Sequence, residues 1–126
     1  MNITKIIQTN SAPAAVGPYS QAVETDNFVF ASGQIALNPA TGEMAEGIEA
    51  QAHQALKNAQ AVIAASGAKW ENVIKTTVFI TNIDDFGKVN EIYATYFKQP
   101  YPARSCVEVS KLPKGALIEV EVIAAK

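Results

Sequence analysis

The chain has 126 residues and a formal net charge of −2, with 48% hydrophobic and 17% charged residues, enough apolar material for the core of one domain spanning 1–126. It holds one Cys (Cys106), one His (His53) and one Arg (Arg104), so an internal disulfide and a zinc site built from Cys and His are excluded, while a carboxylate-only metal site is not. The acidic balance gives no basic footprint for nucleic acid. The longest apolar runs, such as Ala61 to Ala65, fall far short of a membrane span. The first residues lack the charged and apolar regions of a signal peptide, so a soluble cytoplasmic protein is expected.

Ile3 to Gln8 reads as a short first strand. Ser11 to Pro18, rich in Pro, Ala and Gly, reads as a loop. Ser20 to Glu24 and Phe28 to Ser32 are apolar enough for two strands, with Thr25-Asp26-Asn27 as a tight hairpin turn. Asn38-Pro39-Ala40-Thr41-Gly42 marks a further turn. From Ile48 to Ser66, apolar residues at Ile48, Ala52, Ala55, Leu56, Ala59, Val62 and Ile63 form one helical face. Gln51, Gln54, Lys57, Asn58 and Gln60 occupy the rest, and Gly67 is the expected stop. Val73 to Ile80 is rich in β-branched residues and predicts a strand.

Asp84 or Asp85 is the expected cap of a second helix with Phe86, Val89, Tyr93, Tyr96 and Phe97 as its stripe, ended by Pro100 and Pro102. Two strands follow, Arg104 to Ser110 and Leu117 to Ala124. The sum is an α+β domain, a single mixed sheet of about six strands with two helices on one face. Two helices leave the other face bare, and its apolar side chains predict association with further copies of the chain.

Alternation places Arg104, Cys106 and Glu108 on one side of their strand and Glu119 and Glu121 on one side of theirs. Paired as an antiparallel hairpin, these strands would gather Arg104, Cys106, Glu119 and Glu121 on one polar face, although the sequence leaves the register open. There Arg104 would grip a carboxylate with its planar fork, and Glu119 would position a water or move a proton. The plainer alternative is a surface Arg beside a cross-strand Glu, worth little energy. Cys106 reads as a small buried hydrophobe, since a nucleophile needs an activating base. His53 falls on the helix surface, and Asp84-Asp85 reads as a cap rather than a metal site. Gly33 is either a strand end or a place where a ligand approaches the backbone closely. Tyr19, after Gly17-Pro18, lines a pocket or plugs a core edge.

Asn10 to Gln21, Ser32-Gly33-Gln34-Ile35, Lys75 to Phe79, Val89 to Tyr93, Pro102 to Val109 and Leu112 to Glu121 together resemble the RidA type of the Rid (YjgF) family of reactive intermediate deaminases. The resemblance spans essentially the whole chain. It implies a chorismate-mutase-like fold, a homotrimer with sites between subunits, and no metal or organic cofactor. The implied reaction is hydrolysis of 2-iminobutanoate and 2-iminopropanoate, released by pyridoxal-phosphate dehydratases, to 2-oxo acids and ammonia. Residue by residue it implies that Arg104 binds the substrate carboxylate, Glu119 holds or activates water, and Tyr19, Ser32, Gly33, Asn90 and Cys106 line the pocket. Two other readings belong beside it: a regulatory trimer that binds 2-oxo acids without turnover, and an endoribonuclease or translation inhibitor, which the acidic balance disfavours.

Overall fold

The computed structural model describes residues 2–126. Six strands form one mixed sheet: β1 (Lys5–Ile7), β2 (Ala22–Glu24), β3 (Phe28–Ala31), β4 (Val73–Ile80), β5 (Ala103–Glu108) and β6 (Ile118–Ala125). Two α-helices, α1 (Ile48–Ser66) and α2 (Phe86–Ala94), accompany it. The sheet order is β1-β2-β3-β6-β4-β5, antiparallel throughout except for the parallel pair β4 and β5.

Helix α1 has the bounds its periodicity predicts, and Gly67 ends it in the left-handed conformation at φ 82°. It buries Ala52, Ala55, Leu56, Ala59, Val62 and Ile63. The facing sheet residues are Val29, Val78, Ile80, Ile118, Val120, Val122 and Ala124, which join the same core. The opposite sheet face is bare of helices. Ile6 is 65% exposed there, with Phe30 and Val107 each at 42%. No helix among the described residues is long and apolar enough to cross a membrane.

Four expectations need correction. The last two strands do not form a hairpin: β6 runs between β3 and β4, and β5 is an edge strand parallel to β4. Helix α2 ends at Ala94, before Tyr96, Phe97 and the prolines; Tyr96 and Phe97 continue the apolar packing from the segment beyond it. Neither Asp84 nor Asp85 supplies a side-chain cap; Asn82 accepts from the Asp84 N–H at 3.0 Å in the short 3₁₀ turn leading into α2.

Lastly, Gln51 and Asn58 are buried rather than on the solvent side of α1. A buried amide must find partners. Gln51 accepts from the Leu117 N–H at 2.8 Å and donates to the Ala45 carbonyl at 2.9 Å. Asn58 Nδ2 donates to the carbonyls of Ile35 (3.0 Å) and Leu37 (2.8 Å), tying the loop after β3 to the helix. Asn58→Ala strands both acceptors. It should lower unfolding free energy by about 2 kcal/mol in urea titrations, and a change below about 0.5 kcal/mol would show that the tie is dispensable.

Candidate active site

Arg104 projects from β5 on the helix-covered side. Its register partner is Thr76 of β4, and Thr76 in turn pairs with Val122 of β6. Arg104 Nη1 donates to Asn90 Oδ1 at 2.8 Å. The guanidinium carbon lies 4.6 Å from the Tyr93 ring centre and 5.4 Å from that of Phe86, so the cation rests on aromatic faces. The Tyr93 and Thr76 hydroxyls bond at 2.8 Å in the interior, which fixes the ring. Burial pushes the Tyr93 hydroxyl up, partly offset by Thr76 and Arg104, so the platform stays neutral. Among the described residues the one ion pair is Lys126 with Glu24, at 3.2 Å. Arg104 therefore has an amide and two rings for partners, and no Glu of its own chain. This overturns the reading of Arg104 as half of a cross-strand salt bridge. Asn90, Tyr93, Ala94, Tyr101, Pro102 and Arg104 line an open cleft of about 410 Å³.

Cys106 shares Arg104's face and packs half-buried against the core. Burial pushes its thiol up, more than the Arg104 charge pulls it down, so it remains a thiol at neutral pH. His53 is engaged elsewhere, its Nδ1 lying 2.8 Å from the Tyr96 hydroxyl. Glu108 accepts from the Ile83 N–H at 2.9 Å.

Glu119 lies on the other face. It pairs with Phe79, three residues beyond Thr76, and so points away from α1 and α2. The expected polar face of Arg104, Cys106, Glu119 and Glu121 is thus split, with the first two under the helices and the last two on the bare side. Glu119 opens into a second cleft of about 450 Å³, lined among others by Tyr19, Ser32, Gly33 and Lys114. Desolvation by burial, and then the neighbouring Glu121 charge, push the Glu119 carboxyl above the ordinary carboxylate range. Tyr19 is 51% exposed at the rim, its hydroxyl accepting from the Val16 N–H at 3.4 Å. Ser32 Oγ donates to the Ser20 carbonyl at 2.6 Å. Lys114 stands at the rim in the left-handed region at φ 56°, unusual for a residue with a side chain.

The expected site residues therefore fall into two separate groups, with Asn90, Arg104 and Cys106 on one side of the sheet and Tyr19, Ser32, Gly33 and Glu119 about the cleft on the other. The sequence had offered Tyr93 only as an apolar stripe residue. Its platform role had a signal, because Phe86, Asn90 and Tyr93 stand four and three apart on one helical face. Among the described residues no three His, Cys, Asp or Glu side chains cluster as metal ligands.

The family model described as Endoribonuclease L-PSP matches residues 9–126. The chain is 47% identical over 125 residues to the 2-iminobutanoate/2-iminopropanoate deaminase of Mus musculus, covering 98% of this chain and 93% of the mouse protein. The chain belongs to the Rid (YjgF) family. Other Rid relatives carry less specific names: a RutC family protein of Synechocystis sp. is 54% identical over 123 residues, 95% of each chain. Among solved Rid structures, E. coli TdcF with bound serine matches with a TM-score of 0.93 at 43% identity, covering 98% of this chain and 99% of that one. The six-stranded sheet with two helices is thus the Rid fold.

Proposed function

We propose that this protein is a hydrolytic deaminase of small 2-imino acids, working as a homotrimer whose sites each join the Arg104 half of one copy to the Glu119 half of the next. The observation that carries the reading is the division of clamp and carboxylate between opposite sheet faces, each with its own open cleft. The Arg104 cleft holds no carboxylate to serve as a base, and the cation at the rim of the Glu119 cleft, Lys114, is a point charge without the planar fork of Arg104. The bare apolar face beside Glu119 supplies a surface for a second copy. The naming of close relatives as 2-iminobutanoate/2-iminopropanoate deaminases supports the substrate class.

The chemistry is modest. Arg104 takes the substrate carboxylate on the guanidinium edge left over by Asn90, with Tyr93 behind it. Glu119 accepts a proton from water as the water oxygen adds to the imine carbon. The proton passes to the nitrogen to give the neutral carbinolamine; a second transfer, from the carbinolamine hydroxyl to the nitrogen by way of Glu119, forms the C=O as the C–N bond breaks, and the 2-oxo acid and ammonia leave. An imine carbon is already electrophilic, so orientation and proton transfer suffice. Dehydratases that use pyridoxal phosphate and release enamines from serine or threonine are the expected suppliers.

The deciding assay generates 2-iminobutanoate with a threonine dehydratase and follows 2-oxobutanoate. Acceleration that scales with added protein is expected. No acceleration at any concentration, together with saturable 2-oxobutanoate binding, would convert the protein into a non-catalytic binder. The name of the family model favours a second reading, RNA cleavage. The net charge of −2 and the lone Arg oppose it, since phosphate contacts need a cluster of cations.

A further inference from the structure

Six of the seven glycines have nothing within 4 Å of the position a side chain would take. Gly33 is the exception. A Cβ built on it would lie 2.8 Å from Glu119 Cδ, 2.9 Å from Oε2 and 3.0 Å from Cγ, closer than real Cβ atoms approach. Its backbone is not in the left-handed region, so nothing in its conformation demands glycine. The space a side chain would fill is occupied by the Glu119 carboxylate. We infer that Gly33 is a positioning residue whose missing side chain forms the seat of the Glu119 carboxylate and sets where that group points in the cleft.

The seat is rigid because its neighbours are bonded on both sides. Gln34 and Val120 exchange backbone hydrogen bonds of 2.8 and 3.0 Å, which places Gly33 diagonally across from Glu119. On the other side, the Ser32 N–H donates to the Gln21 carbonyl at 2.9 Å, and Ser32 Oγ to the Ser20 carbonyl at 2.6 Å. Asn58 holds the Ile35 and Leu37 carbonyls beyond. A methyl group at position 33 cannot push this backbone aside without breaking one of these bonds. The clash falls on the far end of the Glu119 side chain, which rotates away at little cost to folding. The close approach anticipated for a ligand at Gly33 is thus made, within the chain, by Glu119.

The inference rests on the proposed role of Glu119, and its test separates the two. Gly33→Ala should keep the parent's assembly and melting temperature while kcat/KM for 2-iminobutanoate falls by at least about tenfold, the scale of a misplaced catalytic group. In a Glu119→Gln background the same substitution should cost no more than about twofold, since groups acting as one unit are non-additive. In a ¹³C titration of side-chain carboxyls, the Glu119 midpoint should drop in Gly33→Ala as the group moves toward solvent. Parent-like kcat/KM in Gly33→Ala with an inactive Glu119→Gln would overturn the seat and leave the function standing. An equal loss in both backgrounds, or an unmoved titration midpoint, would also overturn the seat. Full activity of Glu119→Gln would instead remove the proposed role of Glu119, and the titration would then decide the seat alone.

Discussion

Arg104→Lys is expected to lower kcat/KM for 2-iminobutanoate by roughly 30- to 150-fold, equivalent to about 2–3 kcal/mol, with the fold and assembly intact. The substitution keeps the positive charge, so electrostatic attraction alone predicts a small effect. It removes three things at once: the planar fork that meets two carboxylate oxygens, the donor to Asn90, and the flat surface resting on Tyr93 and Phe86. An ammonium offers a point charge with no fixed direction. Because Arg104 is exposed and has no ion-pair partner among the described residues, folding loses little, and unfolding titrations of parent and variant should nearly coincide. A variant with near-parental activity would remove the carboxylate clamp from the mechanism.

Glu119→Gln should abolish most activity, by at least about a hundredfold, the scale of a positioned general base. It should do so without a loss of stability at neutral pH, and the sign follows from the carboxyl's environment. Its pKa is raised in the folded chain by burial and then by Glu121. A raised carboxyl pKa favours folding below the unfolded value, and that contribution is lost as pH rises through the folded value. At neutral pH the ionised group therefore costs stability, and the neutral amide removes that cost. In the parent protein the acid limb of the kcat/KM profile should lie above the ordinary glutamate value of about 4.3. Glu121→Gln, which removes the second cause, should shift that limb to lower pH. A Glu119→Gln variant that is both inactive and unfolded would show that the carboxylate holds the structure rather than the chemistry.

Local pattern carried much of the fold. The bounds of α1 follow from one helical stripe and a terminal glycine, and β4 from a run of β-branched residues. Alternation also gave the right parity inside each late strand, Arg104 with Cys106 and Glu119 with Glu121. What no local pattern encodes is the strand order. Inserting β6 between β3 and β4 makes β5 an edge strand, and the registers across β4, which the sequence leaves open, set Arg104 level with Val122 and Glu119 level with Val107. Those registers divide the expected polar group of Arg104, Cys106, Glu119 and Glu121 between the two sheet faces. Asn58 was misplaced for a related reason: its polarity is satisfied by Ile35 and Leu37, more than twenty residues away in sequence, where helical periodicity has no reach. Glu119, Gly33 and Tyr19 were visible as candidates in the local pattern, Ser32 came from family motifs, and the grouping of all four about one cleft comes from the fold.

The claim that each site is built from two copies has a direct measurement. Arg104→Lys and Glu119→Gln, each nearly inactive alone, are co-expressed or refolded together, and native mass spectrometry confirms mixed assemblies. A site whose Arg104 and Glu119 come from neighbouring copies recovers both intact groups in about one case in four on random mixing, so deaminase activity should return to about a quarter of the parent level. Mixed assemblies with no more activity than either variant would contradict the shared site.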